Sequence, residues 1–126
     1  MKRMWIGVAL LTLMLVSGIL VTEFLEHSQA PGAKDLDQAA ALALEKDWGK
    51  AEALSIRARK NWEKTRPFTA SLVDHEPMEE IDGLFAEAAV YAAARDEVSF
   101  SATCVYLAEL LNAIGESHSL KLWNLM

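Results

Sequence analysis

The densest group of side chains able to do chemistry is Asp74-His75-Glu76-Pro77-Met78-Glu79-Glu80-Ile81-Asp82. An imidazole among carboxylates is a donor set for a divalent cation. His75 and Glu79 stand four apart, the spacing that turns two ligands to one face of a helix. Pro77 lies between them and argues against one continuous helix through both. His118 follows Ile114 by four residues, and on another helix of a bundle it could approach His75. Helix initiation explains the same carboxylates without a ligand. Glu76 then caps a helix opened by Pro77, and Glu79 and Glu80 fall in the first turn, where negative charge complements the helix dipole. A histidine satisfied by one hydrogen bond is the default for His118. The metal is left open and no cofactor is implied. The sequence has no HExxH helix, Gly-x-Ser-x-Gly elbow or phosphate loop. Hydrolysis at this corner would need a metal first, so the expectation is a protein that is not an enzyme.

Two further residue types bear on function. Trp48, Trp62 and Trp123 are large rings that read first as packing groups. Tryptophan is also enriched among interface hot spots. That makes Trp48, at a turn, and Trp123, in an apolar tail, the candidate interaction residues. Cys104 is the single cysteine, so no disulfide can form within the chain. It lies in an apolar stripe and reads as a small buried hydrophobe.

The elements that must position these groups are all helical. No alternating strand pattern of useful length occurs. A first helix is expected over Asp35–Lys46, with Leu36, Ala40, Ala43 and Leu44 on one face. Asp47 caps a second helix, Trp48–Thr65, with Ala51, Leu54, Ala58 and Trp62 as its stripe. Arg66-Pro67 then interrupts the pattern, and Phe68–Val73 makes one or two turns. A third helix runs from Pro77 to Arg95 along Met78, Ile81, Phe85, Ala88 and Ala92. Asp96 caps a fourth, whose seam is Phe100, Cys104, Leu107, Leu111 and Ile114. Gly115 is a stop or kink before the apolar tail Leu120, Leu122, Trp123, Leu125 and Met126. The short junctions make two αα-hairpins, packed as a small four-helix bundle.

Ahead of this domain, Met4 to Thr22 is uncharged and mostly apolar. Nineteen helical residues span about 28 Å, close to the hydrocarbon thickness. Lys2 and Arg3 precede the run, and Glu23 and Glu26 follow it. That charge pattern expects a single-pass anchor with a cytoplasmic N-terminus and an extracytoplasmic C-terminal domain. Ser28-Gln29-Ala30 is the competing feature, a loose signal-cleavage site. The length of the run, the two intervening glutamates and Pro31 favour an uncleaved anchor. Residues 1–28 are thus read as the anchor, 29–33 as a breaker-rich linker, and 34–126 as the domain.

The chain of 126 residues has net charge −6. Beyond Thr22 there are ten basic against eighteen acidic residues, a net charge of −8. Such a module is a poor match for nucleic acid and is repelled by anionic lipid heads.

The combined order of Asp47-Trp48, Lys50-Ala51-Glu52-Ala53, Trp62-Glu63-Lys64, Arg66-Pro67-Phe68, Asp74-His75-Glu76-Pro77, Glu80-Ile81-Asp82, Ile114-Gly115-Glu116-Ser117-His118 and Trp123-Asn124-Leu125 resembles a known family. These are the short membrane-anchored proteins of spore-forming, Gram-positive-type bacteria catalogued as domain of unknown function 4363. The resemblance implies a single-pass protein with an all-helical extracytoplasmic domain, no assigned activity and a link to sporulation. The expectation is therefore a non-enzymatic accessory module that binds another protein at the membrane surface. The alternative is a small metal- or ligand-binding domain using His75, Glu79 and His118. Nothing in the residues sets the oligomeric state.

Overall fold

A computed structural model describes the backbone of residues 2–71 and 75–125. It describes their side chains except at 21, 22, 25, 26, 75 and 115–125. The described residues form four helices: α1 (Lys2–Leu44), α2 (Trp48–Ala70), α3 (His75–Ala94) and α4 (Glu97–Leu125). Successive helices are antiparallel, so the fold is two αα-hairpins closed into a bundle. α1 packs against α2 and α4, and α3 against α4 and more lightly against α2.

Both hairpin turns use the same device. Each first helix ends with a non-glycine residue in the left-handed region, Lys46 (φ 65°) and Arg95 (φ 58°). Around Lys46, its own amide donates to the Ala43 carbonyl and that of Asp47 to the Leu42 carbonyl. Arg95 and Asp96 repeat this with Ala92 and Tyr91. These bonds satisfy carbonyls that a helix end leaves bare. The next residue then opens the following helix. Asp47 Oδ1 accepts from the Lys50 amide at 3.4 Å, and Asp96 Oδ1 from the Ser99 amide at 3.2 Å. Both expected caps are therefore in place.

The core follows the expected stripes closely. Met78, Ile81, Phe85, Ala88 and Ala92 of α3 are buried against Phe100, Cys104, Leu107, Leu111 and Ile114 of α4. Leu36, Ala40 and Ala43 of α1 join Ala51, Ala58 and Trp62 of α2. Leu44 is a correction: it lies at the last turn of α1, beyond its neighbours' cover, and is 56% exposed.

The largest departure from expectation is the linker. Residues 29–33 are helical, and α1 runs unbroken for 43 residues, about 65 Å. Its Lys2–Leu20 part is long and apolar enough to cross a membrane and is exposed along its length. From Gln29 onward the same helix belongs to the bundle, with Gln29, Ala33 and Leu36 buried. Pro31 has no amide for the carbonyl four residues back, which costs a helix interior about 3 kcal/mol. Here Pro31 and His27 are both exposed, so water can reach that carbonyl. Gly32 faces inward, and a Cβ built on it would stand 3.5 Å from Leu111 Cδ1. Tertiary burial on both sides of Pro31 outweighs the local penalty.

Pro67 is a second correction of the same kind. α2 continues through it to Ala70, because Thr69 is buried and meets Gln29 of α1. Pro77 does not open α3, which begins at His75. It is the third helical residue, where an amide has no intrahelical partner to lose. Gly115 does not stop α4, whose backbone continues to Leu125.

Candidate functional site

The expected polar corner is the end of α3 nearer the apolar stretch of α1, beside the end of α2. Its best-defined member, Asp82, is held by α2 on both carboxylate oxygens. Trp62 Nε1 donates to Oδ1 at 2.7 Å, and Arg66 donates to Oδ2 through Nε at 2.9 Å and the terminal nitrogen at 2.8 Å. Trp62 is 1% exposed, so its indole N–H needs this acceptor. Asp82 therefore braces α2 to α3 through bonds that occupy its ligand-forming atoms.

Glu80 is tied to the neighbouring helix. Its Oε1 accepts from the Tyr106 hydroxyl at 2.6 Å. That bond, reinforced by the charges of Glu80 and Glu109, holds the Tyr106 phenol above its ordinary pKa. Glu76 lies inside the first turn of α3 rather than at its cap, and complements the helix dipole there. Glu79 is exposed on the next turn. Because α3 begins at His75, His75 and Glu79 do share one helix, contrary to the break expected at Pro77. The side chains of His75, His118 and Trp123, and Asp74 as a whole, lie outside the described residues. Among the described residues, no three of His, Cys, Asp and Glu gather as a metal site would require.

Trp48, an expected interaction residue, is half-buried at the hairpin end of the bundle. It stacks edge-on against Phe100 with centroids 5.3 Å apart. The Arg95 guanidinium lies 5.3 Å over its ring and also pairs with Glu52 at 2.6 Å. Trp48 thus staples one hairpin turn to the other. Cys104 is fully buried; burial first, and the charge of Asp37 second, push its thiol up to about 12.

Sequence reasoning missed the polar seam between α1 and α2. Asp35, 8% exposed, receives Arg57 through Nε at 2.8 Å and a terminal nitrogen at 2.6 Å. This fork raises the Arg57 pKa further. Asn61 donates to the Ser28 carbonyl at 2.7 Å, and buried Gln29 donates to Thr65 and Thr69 at 3.3 and 3.5 Å. The signal available was an aspartate one residue before buried Leu36, on the apolar edge of its helix.

A groove of about 590 Å³ runs between α1 and α4 near the hairpin end. Ala41, Leu44, Ala102 and Val105 give it an apolar floor, with Asp37 and Glu109 on its walls. A smaller groove of about 420 Å³ continues it along α1 and shares Asp37 and Ala41. Leu44, Val105 and Tyr106 are all more than 40% exposed. Of its lining, the sequence stripes held only Ala40 and Leu44, read there as core residues.

The profile of a domain of unknown function, DUF4363, matches residues 19–125. The chain belongs to the DUF4363 family. No curated protein and no solved structure matches it. The matched region takes in the end of the apolar stretch and the whole bundle, so the family feature includes the junction between them.

Proposed function

We propose that this DUF4363 protein is a single-pass membrane protein whose helical bundle is a non-enzymatic interaction module at the outer surface. The observation that carries this reading is α1 itself: one helix supplies both a bare apolar stretch of spanning length and a wall of the bundle. The charge pattern at Lys2, Arg3 and Glu23 favours a cytoplasmic N-terminus. The polar groups of the corner support binding rather than chemistry, since Asp82 and Glu80 are engaged in holding helices together.

The α1–α4 groove is the surface offered to a protein partner. Its exposed apolar floor and acidic walls suit a helix with an apolar ridge and basic flanks. A net charge of −8 beyond Thr22 opposes pairing with a second copy and favours a basic partner. Sporulation is the setting that the family resemblance implies for it.

The test places a photoreactive amino acid at Val105 or at Ala53, on the opposite helix pair, in intact membranes. A discrete adduct from position 105, absent from 53 and lost in Asp37→Lys/Glu109→Lys, is expected. No adduct from 105, or one indifferent to the charge reversals, refutes the groove. Carbonate extraction and protease protection of the bundle test the topology separately.

A further inference from the structure

We infer that the C-terminal turn of α2 is a second membrane-contacting element, seated in the interfacial layer of the bilayer beside the outer end of the span. This rests on the single-pass reading above. The registry between α1 and α2 sets the height of that turn. Asp35 meets Arg57, Ser28 meets Asn61, and Phe24 meets Phe68. The Phe24 and Phe68 rings stack edge-on, with centroids 4.6 Å apart.

Phe24 is two residues beyond Thr22, where the uncharged run ends, so it stands about 3 Å further along the helix axis. The interfacial layer on each side of the hydrocarbon is about 5–7 Å thick. Both rings therefore fall within it. Ser71, three residues after Phe68 on the antiparallel helix, returns to the level of the span's end.

The composition of this foot fits that layer. Phe24 and Phe68 are each 45% exposed, a large apolar pair left uncovered at the base of a charged helix. Interfacial belts hold aromatic rings at this depth. Because α1 has no flexible linker, the foot cannot swing away from the membrane while the bundle stays folded. The surrounding charges are mixed. Lys64 and Arg66 of α2 are offset by Glu23 of α1 and by Glu76 and Glu79 at the same end of α3. The contact is thus apolar and aromatic rather than driven by anionic lipid.

The test uses the full chain reconstituted in phosphatidylcholine vesicles, with one nitroxide at a time. Labels enter through Leu13→Cys in the span, Ser71→Cys at the foot and Ala53→Cys near the hairpin end. Native Cys104 is buried with a raised pKa and stays unlabelled. Accessibility is read with oxygen against a water-soluble nickel chelate. The expected order of nickel accessibility is 13 lowest, 71 low and 53 high. Phe24→Ser/Phe68→Ser should raise it several-fold at 71 while helicity is kept.

A label at 13 that is protected while 71 is as wet as 53 overturns the foot and leaves the anchor standing. A wet label at 13 overturns the anchor itself. Protection at 71 that appears only when phosphatidylglycerol is added, or that survives the double serine variant, overturns the aromatic basis.

Discussion

Replacing Asp82 with alanine separates a structural brace from a site residue. The change removes the acceptor for Trp62 Nε1 and the partner of Arg66 at once. Leaving a buried donor unsatisfied costs about 1–3 kcal/mol. The Arg66 pair is more than a third exposed on both sides, so it adds no more than about 1 kcal/mol. The expected loss for Asp82→Ala is thus about 1–4 kcal/mol. For a domain near 100 residues this lowers Tm by at least about 4 °C. Asp82→Asn keeps an oxygen for the indole but sets an amide nitrogen, a donor, against Arg66, so it loses only that pair, at a cost of about 1 kcal/mol.

The assay is urea and thermal denaturation of the full chain in a non-ionic detergent, followed by near-ultraviolet circular dichroism. A double-mutant cycle with Trp62→Phe isolates the indole bond, and its coupling should exceed 0.5 kcal/mol, about the lower limit for residues in contact. An Asp82→Ala protein as stable as the wild type, or strict additivity with Trp62→Phe, would falsify the brace. Equal losses from alanine and asparagine would show that charge, not the indole acceptor, dominates.

Three further outcomes follow from the geometry. Cys104 should resist a maleimide at pH 8 in the folded chain and react fully after unfolding. Its folded pKa is raised from 9.0 to about 12, so its contribution to stability is complete below pH 9 and is lost as pH rises towards 12; urea midpoints at pH 8 and 10.5 should diverge more for wild type than for Cys104→Ala. Lys46→Gly should stabilise the protein by about 0.5–1 kcal/mol, because glycine enters the left-handed region without the Cβ penalty. Arg95→Gly should show no such gain in the same melts, since it also deletes the Glu52 pair and the contact over Trp48. Arg57→Ala should cost about 1–3 kcal/mol in urea by stranding the mostly buried Asp35 carboxylate, and more than Asp35→Ala, which removes both the charge and its need for a partner.

Much of the bundle was legible because its evidence is periodic. The α3 and α4 stripes repeat at helical spacing over several turns, and an apolar face with that period must be buried. Asp47 and Asp96 were legible as caps because a short acceptor ahead of a helix has a local task. The candidate site was read less well. Asp82 looked like a possible ligand because its partners, Trp62 and Arg66, sit 20 and 16 residues away. Leu44 looked like a core residue because periodicity does not say where cover from neighbouring helices ends.

The prolines divide local from tertiary information most clearly. Pro31 and Pro67 carry a real local penalty, and the expected breaks express it. The structure passes helices through both because Gln29, Ala33, Leu36 and Thr69 are buried around them. By itself, the sequence determined the helical class, the inward stripes, the hairpin caps and the apolar segment of spanning length. Only the tertiary structure decided that this segment and the bundle share one helix, that Asp82 serves as a brace, and that Phe24 meets Phe68. Each of these depends on contacts between distant residues, whose burial can exceed a local preference of a few kcal/mol.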